Sequence, residues 1–125
     1  MVVIGILIAL QINNWNEWRK DRVKEQEVLQ ILIDNFELNI ETVESDLVNL
    51  TTMNQSARIA ISALDNRLPY VDCLGSHFHL SRVPKKQLSI SQSGYEQYKN
   101  LGYNIINDDD LKNEVIHYFE STFPK

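Results

Sequence analysis

The sequence predicts an all-α fold, in which one long N-terminal helix is packed by shorter antiparallel helices in a small bundle. The long helix combines a membrane-anchor part with an amphipathic stalk that continues it. Three observations carry this reading. The first twelve residues are mostly apolar, and two tryptophans and then a run of charge follow them. From Leu29 to Leu68 apolar residues recur in alternating steps of four and three, the spacing of a helical stripe. Between Gly5 and Pro69 no glycine or proline interrupts the chain.

The anchor comes first. Val2, Val3, Ile4, Ile6, Leu7, Ile8, Leu10 and Ile12 are its strongly apolar positions, and no charged side chain precedes Glu17. At a bilayer centre each contributes about −0.3 to −0.6 kcal/mol, together on the order of −2 to −5 kcal/mol. Insertion is favourable, but length falls short. At ~1.5 Å per residue the run covers roughly 18 Å of a hydrocarbon core about 30 Å thick, so a span needs about eight further apolar residues. A secretory signal would need a basic start and a small-residue cleavage site, and neither is present. A buried core helix or an interfacial anchor is the alternative for so short a run. Trp15 and Trp18 share a face at i, i+3 and suit the headgroup layer. Residues 1–16 therefore read as a truncated transmembrane or anchor segment, and residues 17–125 as the helical-bundle domain.

Between anchor and stripe, residues 17–27 carry Arg19, Lys20, Arg22 and Lys24 against Glu17, Asp21, Glu25 and Glu27. The segment nets zero and reads as a solvated helix face with i, i+3 and i, i+4 pairs. Attraction of its four cations to anionic lipid is the functional alternative.

The stripe that follows places Leu29, Ile33, Phe36, Ile40, Val43, Leu47, Leu50, Ile61 and Leu64 as helix-packing residues, with Asn54 the one polar member and Ala57 and Leu68 completing it. The helix should end at about residue 66, where Asn66 and Pro69 supply the stop. Thr51, Thr52 and Asn54 are poor helix formers and mark a place for a kink or break. With Ile33 at heptad position a, the g residues are Leu32, Asn39, Asp46, Met53 and Ala60, and the e residues Glu37, Glu44, Thr51, Arg58 and Asp65. A parallel homodimer would draw no g–e′ salt bridge from these, which favours a helix packed in a bundle over a dimeric coiled coil. Asn54 at an a position argues the other way, because a lone asparagine there sets register in a dimer.

Three short helices follow. Residues 70–80 place Val71, Leu74, Phe78 and Cys73 on one face. Residues 81–91 carry Pro84 and no helical period, and form the main loop. Residues 93–101 start with a Ser93-x-x-Glu96 capping box, pack Tyr95, Tyr98 and Leu101, and stop at Gly102. In residues 108–123, Asn107 or Asp108 is the cap and Asp109 and Asp110 oppose the helix dipole. Leu111, Val115, Ile116, Phe119 and Phe123 face inward, and Pro124 ends the helix. Such short helices need the long helix as partner.

Two stretches resemble a known family. VVIGILIALQINNWNEWRK is similar to the signature of an uncharacterised family (a domain of unknown function) of single-span membrane proteins in Gram-negative bacteria, and SGYEQYKNLGYNIINDDDLKNEVIHYFE continues the likeness. The resemblance implies a longer apolar run preceded by a basic segment, with Met1 a late start or a chain boundary. It places the protein in the bacterial inner membrane with the bundle on the periplasmic side. Arg19 and Lys20 taken alone would place it in the cytoplasm by the positive-inside rule.

Composition narrows the function classes. The chain has 125 residues and a formal net charge of −5, enough for one modest core and unsuited to nucleic acid as the main partner. A single cysteine, Cys73, excludes an internal disulfide and a cysteine-cluster zinc site. Asp72, Cys73, His77 and His79 are metal-ligand types, but in a helix Cys73 and His77 share a face while His79 points away, and no metal is expected. Three consecutive aspartates at 108–110 lack the spacing of a calcium loop. His117 between Glu114 and Glu120 reads as a helix-surface residue. No nucleophile elbow, phosphate loop or dinucleotide fingerprint occurs, so neither catalytic residues nor a cofactor are expected. The chain reads as a membrane-anchored, non-enzymatic interaction or sensing module, whose partners are the lipid bilayer and a second copy or another membrane protein. The alternative is a soluble structural homo-oligomer whose apolar N-terminal helices pack together.

Overall fold

A computed structural model describes residues 1–82 and 88–122. Four α-helices are present, and no strand occurs among the described residues. Helix α1 runs Val2–Asp65, α2 Asp72–Arg82, α3 Ser93–Leu101 and α4 Asp109–His117. A 3-10 turn at Tyr103–Ile105 joins α3 to α4, and a π-helical turn at Tyr118–Thr122 extends α4. The fold is thus all-α, with a long N-terminal helix and shorter helices packed on it. Pro84 of the expected main loop, and Phe123 and Pro124 of the last helix, lie outside the described residues.

Helix α1 does not break at Thr51–Asn54. Thr51 Oγ1 donates to the Leu47 carbonyl at 2.8 Å and Thr52 Oγ1 to that of Val48 at 3.1 Å, so both hydroxyls fold back on the helix instead of competing with it. The helix closes on a Schellman motif. Leu68 N–H donates to Ala63 O at 3.0 Å and Arg67 N–H to Leu64 O at 3.1 Å. Arg67, not Asn66, takes the left-handed position, with φ 49°.

The chain divides into two compact units, and α1 contributes to both. Unit 1 is Met1–Leu38 with Ser91–Lys125. Its core is Val28 and Leu32 of α1, Tyr95 and Tyr98 of α3, Ile106, Val115 of α4 and Phe119. Tyr95 stacks on Phe119 with ring centroids 4.7 Å apart, and Phe36 meets Tyr118 edge-on at 5.0 Å. Leu101, expected inside, is exposed, and Leu111 lies at the edge of exposure.

Polar side chains of α1 fix the other helices of this unit. Asn35 Nδ2 donates to Ser91 O at 3.2 Å, and its Oδ1 accepts the Gly94 N–H at 3.2 Å. Helix α3 comes so close here that a Cβ on Gly94 would sit 2.9 Å from Asn35 Cβ and 3.1 Å from Ile31 O. Only glycine fits. The expected Ser93–Glu96 capping box is not the arrangement found, because Gln92 is the N-cap and Ser93 is already helical. Gly102 does end α3, at φ 95°, with its N–H shared between Tyr98 O and Lys99 O. Asp108 is the cap of α4, its Oδ1 accepting from Asp110 N–H at 3.0 Å and Leu111 N–H at 3.1 Å. The preceding Asn107 N–H donates to Glu25 Oε1 at 2.7 Å, tying the entry of α4 to α1.

Unit 2 is Asn39–Ile90. Its buried apolar residues, among those described, are Ala60 and Ala63 of α1 and Leu74 of α2. Ser56 is also buried, and His77 Nδ1 lies 3.3 Å from its Oγ. Ser56, Ala60 and Ala63 form a strip of small side chains at i, i+4, i+7. Phe78 is half-buried, while Val71 and Cys73 are exposed.

Candidate functional site

The most distinctive surface is the N-terminal end of α1. Val2, Val3, Ile4, Ile6, Leu7, Ile8, Leu10 and Ile12 are all exposed, from 76% at Val2 to 53% at Leu10, as are Trp15 and Trp18 at about 60%. These side chains surround the helix and do not form one stripe, since eleven residues make three turns and eight of the eleven are strongly apolar. A helix that is apolar all round belongs in an apolar medium on every side. No helix among the described residues is long and apolar enough to cross a membrane.

Charge begins directly below. Lys20 pairs with Glu17 at 3.5 Å, and Arg22 pairs with Glu25 while its guanidinium lies 6.0 Å from the Trp18 ring centroid. Glu25 is also the residue that accepts the Asn107 N–H, so the charged belt is tied to the entry of α4.

Further along α1, the expected packing stripe and the buried face do not coincide. Leu29 and Phe36 are partly buried against the unit 1 core. Ile33 (49%), Ile40 (57%), Val43 (43%), Leu47 (63%), Leu50 (40%), Ile61 (57%) and Leu64 (63%) are exposed. The buried positions of α1 are Val28, Leu32, Asn35 and Asn39 in one run and Ser56, Ala60 and Ala63 in another. Each is one residue before a member of the stripe. The packing face has the same four-three spacing, turned by about 100° around the helix. Val28 and Leu32 are apolar like the stripe, but the rest of this face is built of the small Ser56, Ala60 and Ala63 and of Asn39 and Asn35, the latter hydrogen-bonded to Ser91 and Gly94, and a hydrophobicity pattern does not register these.

An apolar groove of about 230 Å³ lies beside this stripe in unit 2, lined by Val43, Leu47, Leu50 and Met53 of α1 with Leu88 opposite. A shallower hollow in unit 1 is lined by Asn113, Glu114, His117 and Tyr118.

The titratable groups brought together are engaged with structure. Glu120 Oε1 accepts from Tyr95 Oη at 2.7 Å and from Tyr103 Oη at 3.4 Å. Burial, reinforced by its hydrogen bonds to the Tyr103 hydroxyl and to Glu120, pushes the Tyr95 phenol well above the ordinary tyrosine range, and burial also raises Tyr98. The Lys112 ammonium beside Asp109 lowers that carboxyl. Glu120 thus faces tyrosines and not His117. Of the residues considered as metal ligands, Cys73 is exposed and His77 faces Ser56. Among the described residues no group of three or more histidine, cysteine or acidic side chains is placed to hold a metal ion. The polar residues whose roles sequence reasoning missed are Asn35, Glu25 and Glu120, each with a partner at least 25 positions away: Gly94 for Asn35, Asn107 for Glu25 and Tyr95 for Glu120. No protein-family model, curated protein or solved structure matches the chain.

Proposed function

We propose that the chain is a membrane-anchored, non-enzymatic helical module that presents unit 1 directly beside a lipid surface for protein interaction or sensing. The single observation behind this is the all-round exposure of the apolar side chains at Val2–Ile12, followed by Trp15 and Trp18 and then by charge. In this reading the run enters hydrocarbon to a depth of roughly 16 Å, about half of the core. The tryptophans take the headgroup layer, and Val28, the first buried residue, lies about 15 Å further along the helix, clear of lipid. The non-enzymatic part of the proposal rests on how polar groups are used: Asn35, Glu25, Asp108 and Glu120 each satisfy backbone N–H groups or tyrosine hydroxyls of their own fold. We place the anchor in a bacterial inner membrane with the bundle on the periplasmic side, on the family resemblance of residues 2–20; a reporter fused at Lys125 reads that orientation.

Co-flotation with phospholipid vesicles tests the anchor. The full chain should rise with the vesicles. Ile4→Asp combined with Ile8→Asp should leave it at the bottom, because each change costs about 3 kcal/mol at depth against a total gain on the order of 2 to 5. Both positions are exposed, so helicity by circular dichroism should not change. Equal flotation of the two proteins, or of neither, contradicts the proposal.

A further inference from the structure

The stretch of α1 in unit 2 carries two faces: one packs within the chain, and the other, bordered by Leu88 across the groove, otherwise stands exposed among the described residues. Ala60 is buried at a g position and Ser56 and Ala63 at c positions, while Ile40, Val43, Leu47, Leu50, Ile61 and Leu64, the a and d positions, stand 40 to 63% exposed. We propose that this a/d face is the seam of a parallel homodimer, in which a second copy of α1 packs against the first.

Four observations favour a second copy over another occupant. The absence of g–e′ salt bridges, which counts against a simple two-stranded coiled coil, loses its force here. Asn39 and Ala60 at g are buried by their own chain, and Asp46 and Met53 are partly covered, so the g side is largely taken up within the chain. The unit's own core is also small, because two alanines and one leucine are its buried apolar residues among those described. Two helical hairpins packed through their open faces make a four-helix assembly, which supplies the missing core. Six half-exposed aliphatic side chains offer on the order of 400–600 Å². The stems of Glu44 and Arg58 extend this towards the ~800 Å² per partner of a stable interface. Finally, Asn54 is the lone polar residue of the seam, and among the described residues its Oδ1 accepts a long bond of 3.4 Å from Arg58 Nε. Parallel pairing sets Asn54 opposite its own copy, where the two amides satisfy each other and fix the register. An apolar helix from another protein would leave it unmatched. The parallel direction rests on the anchor reading, since two copies held in one bilayer by their N-termini run the same way and meet at high effective concentration.

Mass in detergent micelles, together with disulfide trapping on a Cys73→Ser background, tests this on the full chain. Leu50→Cys on the seam should link to itself in most of the protein, and Ser45→Cys on the far side of the helix should not. Leu47→Asp with Leu50→Asp should halve the protein mass with helicity unchanged. A single-chain mass for the unaltered protein overturns the proposal. So does equal linking at the two cysteines, or a dimer that survives the aspartates. Vesicle flotation is read separately, so loss of the dimer and loss of the anchor are distinct results.

Discussion

Asn35 and Gly94 show how a single pair of side chains positions a helix. The Asn35 amide meets Ser91 O and Gly94 N–H, and the missing Cβ of Gly94 lets α3 lie against Ile31 and Asn35. Gly94→Ala should lower stability by about 1–3 kcal/mol, the ordinary cost of overpacking, and lower the melting temperature accordingly. Thermal unfolding with no change in the midpoint would refute that contact. Tyr95 makes a pH-dependent contribution. An unfolded tyrosine ionises near pH 10, whereas the buried Tyr95 and Tyr98 phenols hold their protons to higher pH. The stability they confer is complete below about pH 10 and falls as pH rises past it, because only the unfolded chain then releases the proton. Tyr95→Phe should cost about 1 kcal/mol at neutral pH and flatten this alkaline decline, leaving the part due to Tyr98; denaturant titrations at pH 7 and above pH 10 measure both. None of these roles was legible beforehand, since Asn35, Gly94 and Glu120 are defined by partners distant in sequence.

The elements themselves were more legible. Helix α1 follows from the absence of breakers, α3 ends at Leu101 before Gly102 as expected although the capping box expected to open it is not formed, and Asp108 caps α4. Which side of α1 faces the other helices was not legible. Apolar periodicity identified the face carrying Ile40, Leu47 and Leu64, while packing within the chain selected its neighbour, with Asn39, Ser56 and Ala60. An apolar repeat states that a helix has a greasy side, and contact with a close neighbour follows size and hydrogen bonding. The stop of α1 was likewise displaced by one residue, to Arg67 at φ 49°. Glycine takes the left-handed conformation without a Cβ penalty, so Arg67→Gly should raise stability by about 0.5–1 kcal/mol. An unchanged or lower melting temperature would show that the Schellman turn is not strained.

For the whole molecule, we propose that the apolar end of α1 enters lipid beside unit 1, whose buried core begins at Val28, and that the exposed aliphatic face of α1 in unit 2 pairs with a second copy. The sequence contains two tryptophans, Trp15 and Trp18, and the proposed anchor puts both at the lipid–water boundary. Their fluorescence therefore reports on the anchor alone. On addition of vesicles to the full chain, the account predicts a blue shift of the emission. It also predicts stronger quenching by lipids brominated near the headgroup than by lipids brominated near the bilayer centre. An emission spectrum unmoved by vesicles, or quenching strongest at the bilayer centre, would contradict it.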